Sequence, residues 1–456
     1  MIQTNLKNTS LEFFFTLLLL ILFFSFSFCQ HLSVDHDLVK AIKDNNYDNF
    51  KVALRKGANT NAKDRYSSSL LLATLSSNQE QMAIDLILKG ANINDGYNVG
   101  MNAIFLAINN KLSKVANLLI GLGADITQTR QGGVNLLMMA ANRDMRQVAL
   151  NIILKNKLDI NSVNKDGDTA LSLALSKNYL EMANILYKHG AKPSNIFEAI
   201  QLGDIKSVQK FIEDDKQLKS INKDGNTPLH IAYIYGNYEI ASILLKTGYI
   251  DINHKNKFNL TVAMIAAMNN SIKLSNLAMG YEADILIPDI NGLTPLMYAV
   301  FYENYELIWQ IIKYNKHAVF SIDNDGSNAF SYAVACRNKK ICQKLLTVGD
   351  VMNQSKAKNP LTIAIANLDE DMVKFLLENG VKINVRSCFG MTPLSMAVKM
   401  NFPVMVKFLL SQGAKPTLKD RDGLDSLSYA RMYGYQDIID LLDANKEHHA
   451  DYYKKR

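Results

Sequence analysis

His230 is the residue of this 456-residue chain whose type and setting come closest to chemistry. It sits in D-G-N-T-P-L-H-I-A (Asp224 to Ala232), where an imidazole could act as a general base. That role needs a nucleophile and an orienting carboxylate at matching spacing, and no such pattern surrounds it. Other histidines gather only near the ends, in His31 to His36 and Glu447 to Asp451, where the loose spacing fits a solvated terminus better than a metal ligand set. Cys29, Cys336, Cys342 and Cys388 form neither a disulfide framework nor a C-x-x-C pair, and Cys336 and Cys342 read as buried small hydrophobes. P-loop, G-x-S-x-G, H-E-x-x-H and kinase signatures are absent, so no catalytic residue, metal or cofactor is expected.

The elements that must position these residues come from the bulk of the chain. Its length exceeds what one hydrophobic core organises, which calls for several domains or an extended repeat. Apolar residues make up 48% and charged residues 20%, as in ordinary folded proteins. The net charge of +7 is mild, and the one short basic run, Y-Y-K-K-R at Tyr452 to Arg456, is too small for a nucleic-acid stripe. Residues 446–456 read as a charged flexible tail.

The N-terminus stands apart. Phe13 to Cys29 is apolar throughout except for Thr and Ser, and Ser27 and Cys29 are small enough to precede a cleavage site before Gln30. Residues 1–29 therefore read as a secretory signal peptide, which predicts a secreted or exported protein. The alternative is an uncleaved membrane anchor over residues 13–29, the sole membrane contact this reading allows.

Self-similarity organises everything that follows. N-K-D-G-D-T-A-L-S-L-A (Asn164 to Ala174) recurs as Asn222 to Ala232, Asp289 to Ala299, Asp323 to Ala333, Ser387 to Ala397 and Asp420 to Ala430. Weaker copies end at Ala73, Ala107, Ala140, Ala266 and Ala364, and helices without the preceding turn end at Ala41 and Ala199. The alanines are spaced by 31 to 34 residues, apart from a single step of 25 between Ala174 and Ala199, giving thirteen repeats. A second motif, such as L-I-L-K-G-A-N-I-N (Leu86 to Asn94) or L-L-S-Q-G-A-K-P-T (Leu409 to Thr417), keeps the same period and closes six of the repeats.

Physical chemistry makes the repeat legible. Gly225 supplies the positive φ of a tight turn, Thr227 can cap a helix, and Pro228 fits a first helical position, where no N–H is needed. Ala232 is small because two helices approach there. Ile240, Ile243 and Leu244 mark a second helix with one buried face, and Gly248 or Gly413 suits the left-handed residue that ends it. Trp309 reads as packing of a second helix. Such a helix-turn-helix cannot bury its apolar face alone; stacked copies can.

The D-x-x-G-x-T-P-L-H-x-A and L-L-x-x-G-A signatures resemble ankyrin repeats over about Asp35 to Ala444. The resemblance implies an all-α repeat solenoid of helix-turn-helix units with short β-hairpin or turn fingers. It also implies a structural His230 that bonds the backbone of neighbouring loops. Only that repeat keeps the full T-P-L-H; others have Leu71, Phe105, Met138, Ser172, Met264, Met297, Ser331, Thr362, Ser395 or Ser428 there, which should remove hydrogen bonds between loops. The short step before Ala199 lacks the turn, so residues 30–193 and 194–445 form two blocks, taken as continuous because the helical pattern does not break.

The resemblance further implies a concave partner-binding groove lined by hairpin tips and first-helix ends. This chain places Ile234, Tyr235, Met268, Phe301, Tyr302, Met400, Met432 and Tyr433 at the helix ends, with Phe258, Leu293 and Phe389 at the hairpins. Earlier repeats carry Asn109, Asn110, Asn142, Arg143, Ser176 and Lys177 instead. Aromatic residues and Met are enriched in interface cores, so the partner is expected along repeats seven to thirteen. The expected function is a non-catalytic protein–protein interaction scaffold, exported or membrane-anchored. The alternatives are a regulatory or inhibitory subunit that blocks a partner enzyme, or a host-directed effector of an intracellular bacterium. Asn259-Leu-Thr, Asn269-Asn-Ser and Asn353-Gln-Ser would accept glycans in a eukaryotic secretory lumen, yet a glycan on Asn269 would obstruct the groove.

Overall fold

The structure, a computed structural model, describes residues 33–64, 66–97, 101–352, 359–387 and 390–444. The apolar leader, the C-terminal tail, Cys388 and Phe389 lie outside them. Two compact blocks divide the chain, Met1–Ser194 and Asn195–Arg456. Each stacks antiparallel helix pairs: five among the described residues of the first block and eight in the second. In both, successive first helices pack on one another and successive second helices do likewise. Among the described residues, strand is confined to a two-residue hairpin, Gly96–Tyr97 with Met101–Asn102, and to isolated bridges such as Ile322 to Asn328.

The local chemistry follows the repeat motif. Thr227 caps the helix Pro228–Ile234, with Pro228 at its first turn. Before it, Asn222 Oδ1 accepts from the backbone N–H groups of Asp224 and Asn226, both at 2.9 Å, folding the finger into a turn. Fingers then bond to one another: Lys257 N donates to Asp224 O at 3.0 Å and Asn324 N to Asn291 O at 3.0 Å. That proximity fixes glycine at Gly292, where φ is +86° and a Cβ would lie 2.6 Å from Asn324 N.

Several repeats are also joined by an asparagine clamp just past the second helix. Asn161 Oδ1 accepts from Lys192 N at 2.8 Å in the next repeat, and its amide donates to Gly190 O at 3.1 Å. Asn384 makes the same two bonds to Lys415 N (2.9 Å) and Gly413 O (3.3 Å) in the second block. Each clamp satisfies a loop N–H and a helix-terminal carbonyl that the repeat itself leaves open.

Three expectations are corrected. In the second repeat the helix Leu70–Ser76 places Thr74, not Ala73, at the buried alanine position, and Leu72 rather than Leu71 at the His230 position. The run L-L-L-A-T-L reads equally well in either phase. Thr74 succeeds because its hydroxyl bonds back to Leu71 O at 2.8 Å. Trp309 is 45% exposed, not packed, since helix Tyr305–Tyr314 buries Leu307, Ile308, Ile311 and Ile312 and turns position 309 outward. There Lys344 Nζ stands 3.5 Å above its ring. Finally, Cys342 is buried but Cys336 is only half-buried.

Candidate partner-binding surface

His230 is fully buried between two repeats. Its Nε2 faces Leu260 O of the following repeat at 3.1 Å and its Nδ1 faces Thr227 Oγ1 at 2.8 Å. A ring nitrogen that faces a carbonyl must donate, so Nε2 carries the proton and Nδ1 accepts from threonine. Burial pushes its pKa down to about 4, which keeps it neutral. The ring also meets His254 edge-on at 5.6 Å, and His254 Nε2 lies 3.2 Å from Gly225 O. The imidazole thus fastens two loops, with no carboxylate in its hydrogen-bonding shell and its one hydroxyl neighbour, Thr227, serving as the helix cap.

Where the histidine is replaced, the consequence depends on the newcomer. Ser395 Oγ reaches Ser426 Oγ of the next repeat at 3.2 Å, so one link between loops survives. Met264 and Met297 offer no such group, and the hydroxyls of Thr261 and Thr294 are left buried without a hydrogen-bond partner.

The expected partner surface sits on the second block. Ile234 and Phe301 end their first helices, Tyr302 and Met400 follow as caps, and Met432 and Tyr433 close the last first helix, Ser426–Tyr433. All six are exposed, as is Phe258 at its finger, 56% accessible. Tyr235, Met268 and Leu293 are half-buried, and Tyr235 and Leu293 pack partly against the core. Phe301 and Tyr302 meet edge-on at 5.3 Å, while Tyr433 stacks on Tyr435 at 5.6 Å.

The strip is not continuous. Ala335 and Cys336, then Ala366 and Asn367, hold the same positions in the two repeats between, leaving one aromatic cluster around Phe301 and another around Tyr433.

Sequence reasoning passed over the residues that brace these fingers. Tyr298 donates to Asp289 Oδ2 at 2.8 Å and Tyr332 to Asp323 Oδ2 at 2.6 Å, while Tyr429 bonds Asp420 in the same way. The other oxygen of Asp289 takes the finger N–H groups of Asn291 and Leu293. Each phenol is thereby tied to its finger and its pKa is raised, by burial first in Tyr298 and Tyr332 and by the carboxylate bond first in Tyr429. The signal was present as D-x8-Y in three repeats. In the first block the matching helix ends are polar, and Arg143 Nη2 reaches across to Asn109 Oδ1 at 2.7 Å.

Nothing in this surface resembles a catalytic centre. Burial raises the thiol pKa of Cys336 and pushes that of Cys342 up to about 12, the opposite of an activated nucleophile. Among the described residues no three His, Cys, Asp or Glu side chains group closely enough to hold a metal, and no helix is long and apolar enough to cross a membrane.

A family model for ankyrin repeats (3 copies) matches residues 110–196, 196–289, 263–356, 296–387, 340–420 and 361–455. Among curated proteins, Rabankyrin-5 of Mus musculus is 29% identical over 167 residues, 36% of this chain and 14% of that protein. Regulatory protein NPR1 of Arabidopsis thaliana is 25% identical over 236 residues, 52% of this chain and 36% of that one. A putative ankyrin repeat protein of Fowlpox virus is 31% identical over 135 residues, covering 28% and 18% respectively. The matches therefore span well under half the length of these relatives.

Proposed function

The chain belongs to the ankyrin repeat family, and from that premise we propose that it is a non-catalytic scaffold that holds a partner protein against the first-helix ends of its second block. The observation that carries this reading is the exposure of Ile234, Phe301, Tyr302, Met400, Met432 and Tyr433 at two adjacent register positions, the second and third after the repeat alanine, in four repeats of the second block. A soluble protein gains nothing from repeatedly exposing large apolar groups there, and aromatic and Met side chains are the ones that anchor interfaces. Two clusters separated by two repeats of small residues favour a partner that touches at two places. The test is capture on immobilised full-length protein, with Phe301 and Tyr302 or Met432 and Tyr433 changed to Asp. Each pair should remove the same partner. Undiminished capture by both variants would refute the reading.

We further infer that the array is exported or membrane-anchored, on the strength of the Phe13 to Cys29 segment. Asn269 adds a constraint, because its amide donates to Tyr233 O at 2.8 Å and Ile234 O at 3.2 Å. A glycan on that nitrogen would disrupt the junction between repeats as well as the partner surface. Mass spectrometry of the native N-terminus and of any glycopeptides tests both points. An intact Met1 with no membrane retention would refute export and anchoring alike.

A further inference from the structure

A different edge, on the first block, carries a second inference. Its five second helices end at Arg55, Leu88, Gly121, Leu154 and Lys188, and the residues that follow are Lys56, Lys89, Leu122, Lys155 and His189. These ten positions hold no acid, and apart from Gly121 each is basic, leucine or histidine. All ten are exposed, with Leu88 at 66%, Leu122 at 53% and Leu154 at 68%. In the second block the same positions are mixed, for example Glu378 with Asn379 and Ser411 with Gln412.

Charge separates the blocks in the same sense. Residues 33–194 hold 19 basic and 14 acidic side chains, whereas residues 195–444 hold 26 of each. No ion pair among the described residues engages Arg55, Lys56, Lys89, Lys155 or Lys188. The carboxylates closest along the chain are already engaged. Asp85 accepts from Tyr47 Oη at 2.8 Å, Asp125 from Thr127 Oγ1 at 2.7 Å, and Asp159 from Asn161 N at 2.9 Å.

We propose that this edge docks on an anionic lipid surface, with the lysines and Arg55 against headgroups and Leu88, Leu122 and Leu154 inserted between them. Exposed aliphatic side chains interleaved with unpaired cations are what an amphipathic membrane-surface element presents.

The test uses the full-length protein and sedimentation with vesicles of phosphatidylcholine alone or with about one third phosphatidylserine. Each basic side chain near such a surface is worth roughly five-fold in partitioning. Changing Arg55, Lys89, Lys155 and Lys188 to Glu should cut binding to the anionic vesicles by about 100-fold or more, with thermal unfolding unchanged. Binding to neutral vesicles, which reports any contribution of Phe13 to Cys29, should not change. Leu88→Ser, Leu122→Ser and Leu154→Ser together should weaken anionic binding while leaving its salt dependence intact. Equal partitioning of wild type and the charge-reversed variant onto anionic vesicles would overturn the proposal. So would tighter capture of wild type by an immobilised acidic peptide than by the anionic vesicles, lost with the same charge reversals, which would make the edge a protein-docking site.

Discussion

The two blocks are built from one repeat yet differ in what they leave exposed. In residues 33–194 the first helices end in polar groups such as Asn109, Ser176 and Lys177, and the second helices end in lysine and leucine. In residues 195–444 the first-helix ends carry Phe301, Tyr302, Met432 and Tyr433 over a charge-neutral body. Much of that difference lies in exposed helix-end positions that the fold does not use. Helix caps, fingers and asparagine clamps are shared, so the repeat sets the scaffold and the leftover positions set what each block can touch.

The sharpest way to break this comparison is at the aromatic cluster. Phe301→Asp with Tyr302→Asp should reduce partner capture by about 100-fold or more, as interface anchors do when charged. Ser176→Ala with Lys177→Ala, at the same register of the first block, should change it less than about three-fold. Equal losses from the two pairs in a binding titration would mean that the blocks share one interface.

Acid should separate the blocks next. His230 titrates near 6.5 in an unfolded chain and at about 4 in place, so below pH 6.5 the unfolded form binds a proton that the folded form refuses. Stability of the joint between Thr227 and Leu260 should therefore fall as pH drops from 6.5 to 4, by at most about 3 kcal/mol. Among the described residues the first block buries no histidine: His36 and His189 are both exposed. Hydrogen exchange followed by block at pH 7 and 4.5 should show protection lost around His230, and His230→Gln should flatten that slope. A first block that loosens equally between pH 6.5 and 4 would contradict this account.

Within the second block, the caps provide a finer contrast. Thr227→Val removes a hydroxyl that caps Pro228–Ile234 and bonds His230, and should cost about 1–2 kcal/mol. Thr294→Val removes a buried hydroxyl with no partner and should be neutral or slightly stabilising. Denaturant titrations of the two variants decide it. Equal costs would mean that Thr294 makes a bond after all.

The smallest effect concerns the turn between paired helices, which holds one left-handed residue per repeat. The first block uses Asn45, Asn78, Lys111, Asp144 and Asn178 there; the second includes Glu303, Arg337 and Leu368. Leu368, at φ +53°, lacks the local hydrogen bonding that lets Asn adopt this conformation. Leu368→Gly should raise stability by about 1 kcal/mol, and Asn178→Gly by a few tenths at most. A higher unfolding midpoint for Asn178→Gly than for Leu368→Gly would reverse the expected order.

Much of this was legible beforehand, because the fold is written in local rules. The turn at Gly225, the cap at Thr227 and the proline at 228 depend only on neighbouring residues, and each is found in place. What escaped the sequence depended on phase or on contacts between repeats. The burial of Thr74 depends on phase, because L-L-L-A-T-L has no residue that fixes its register. The exposure of Trp309 is not written locally, because an apolar helix of ten residues does not announce which side its one indole takes. The bonds from Tyr298, Tyr332 and Tyr429 to finger carboxylates were written in the sequence, but only a structure says that nine residues separate partners rather than strangers.

The asparagine clamp has a mechanical consequence. Each clamp ties a loop to the next repeat alone, so no bond of this kind shares a load with a more distant one. Under tension along the chain the repeats of a block should yield one at a time, each release lengthening the tether by about one period. Force–extension traces would then show a sawtooth rather than a single rupture, and the array would act as a compliant spring between whatever is fastened at its two ends.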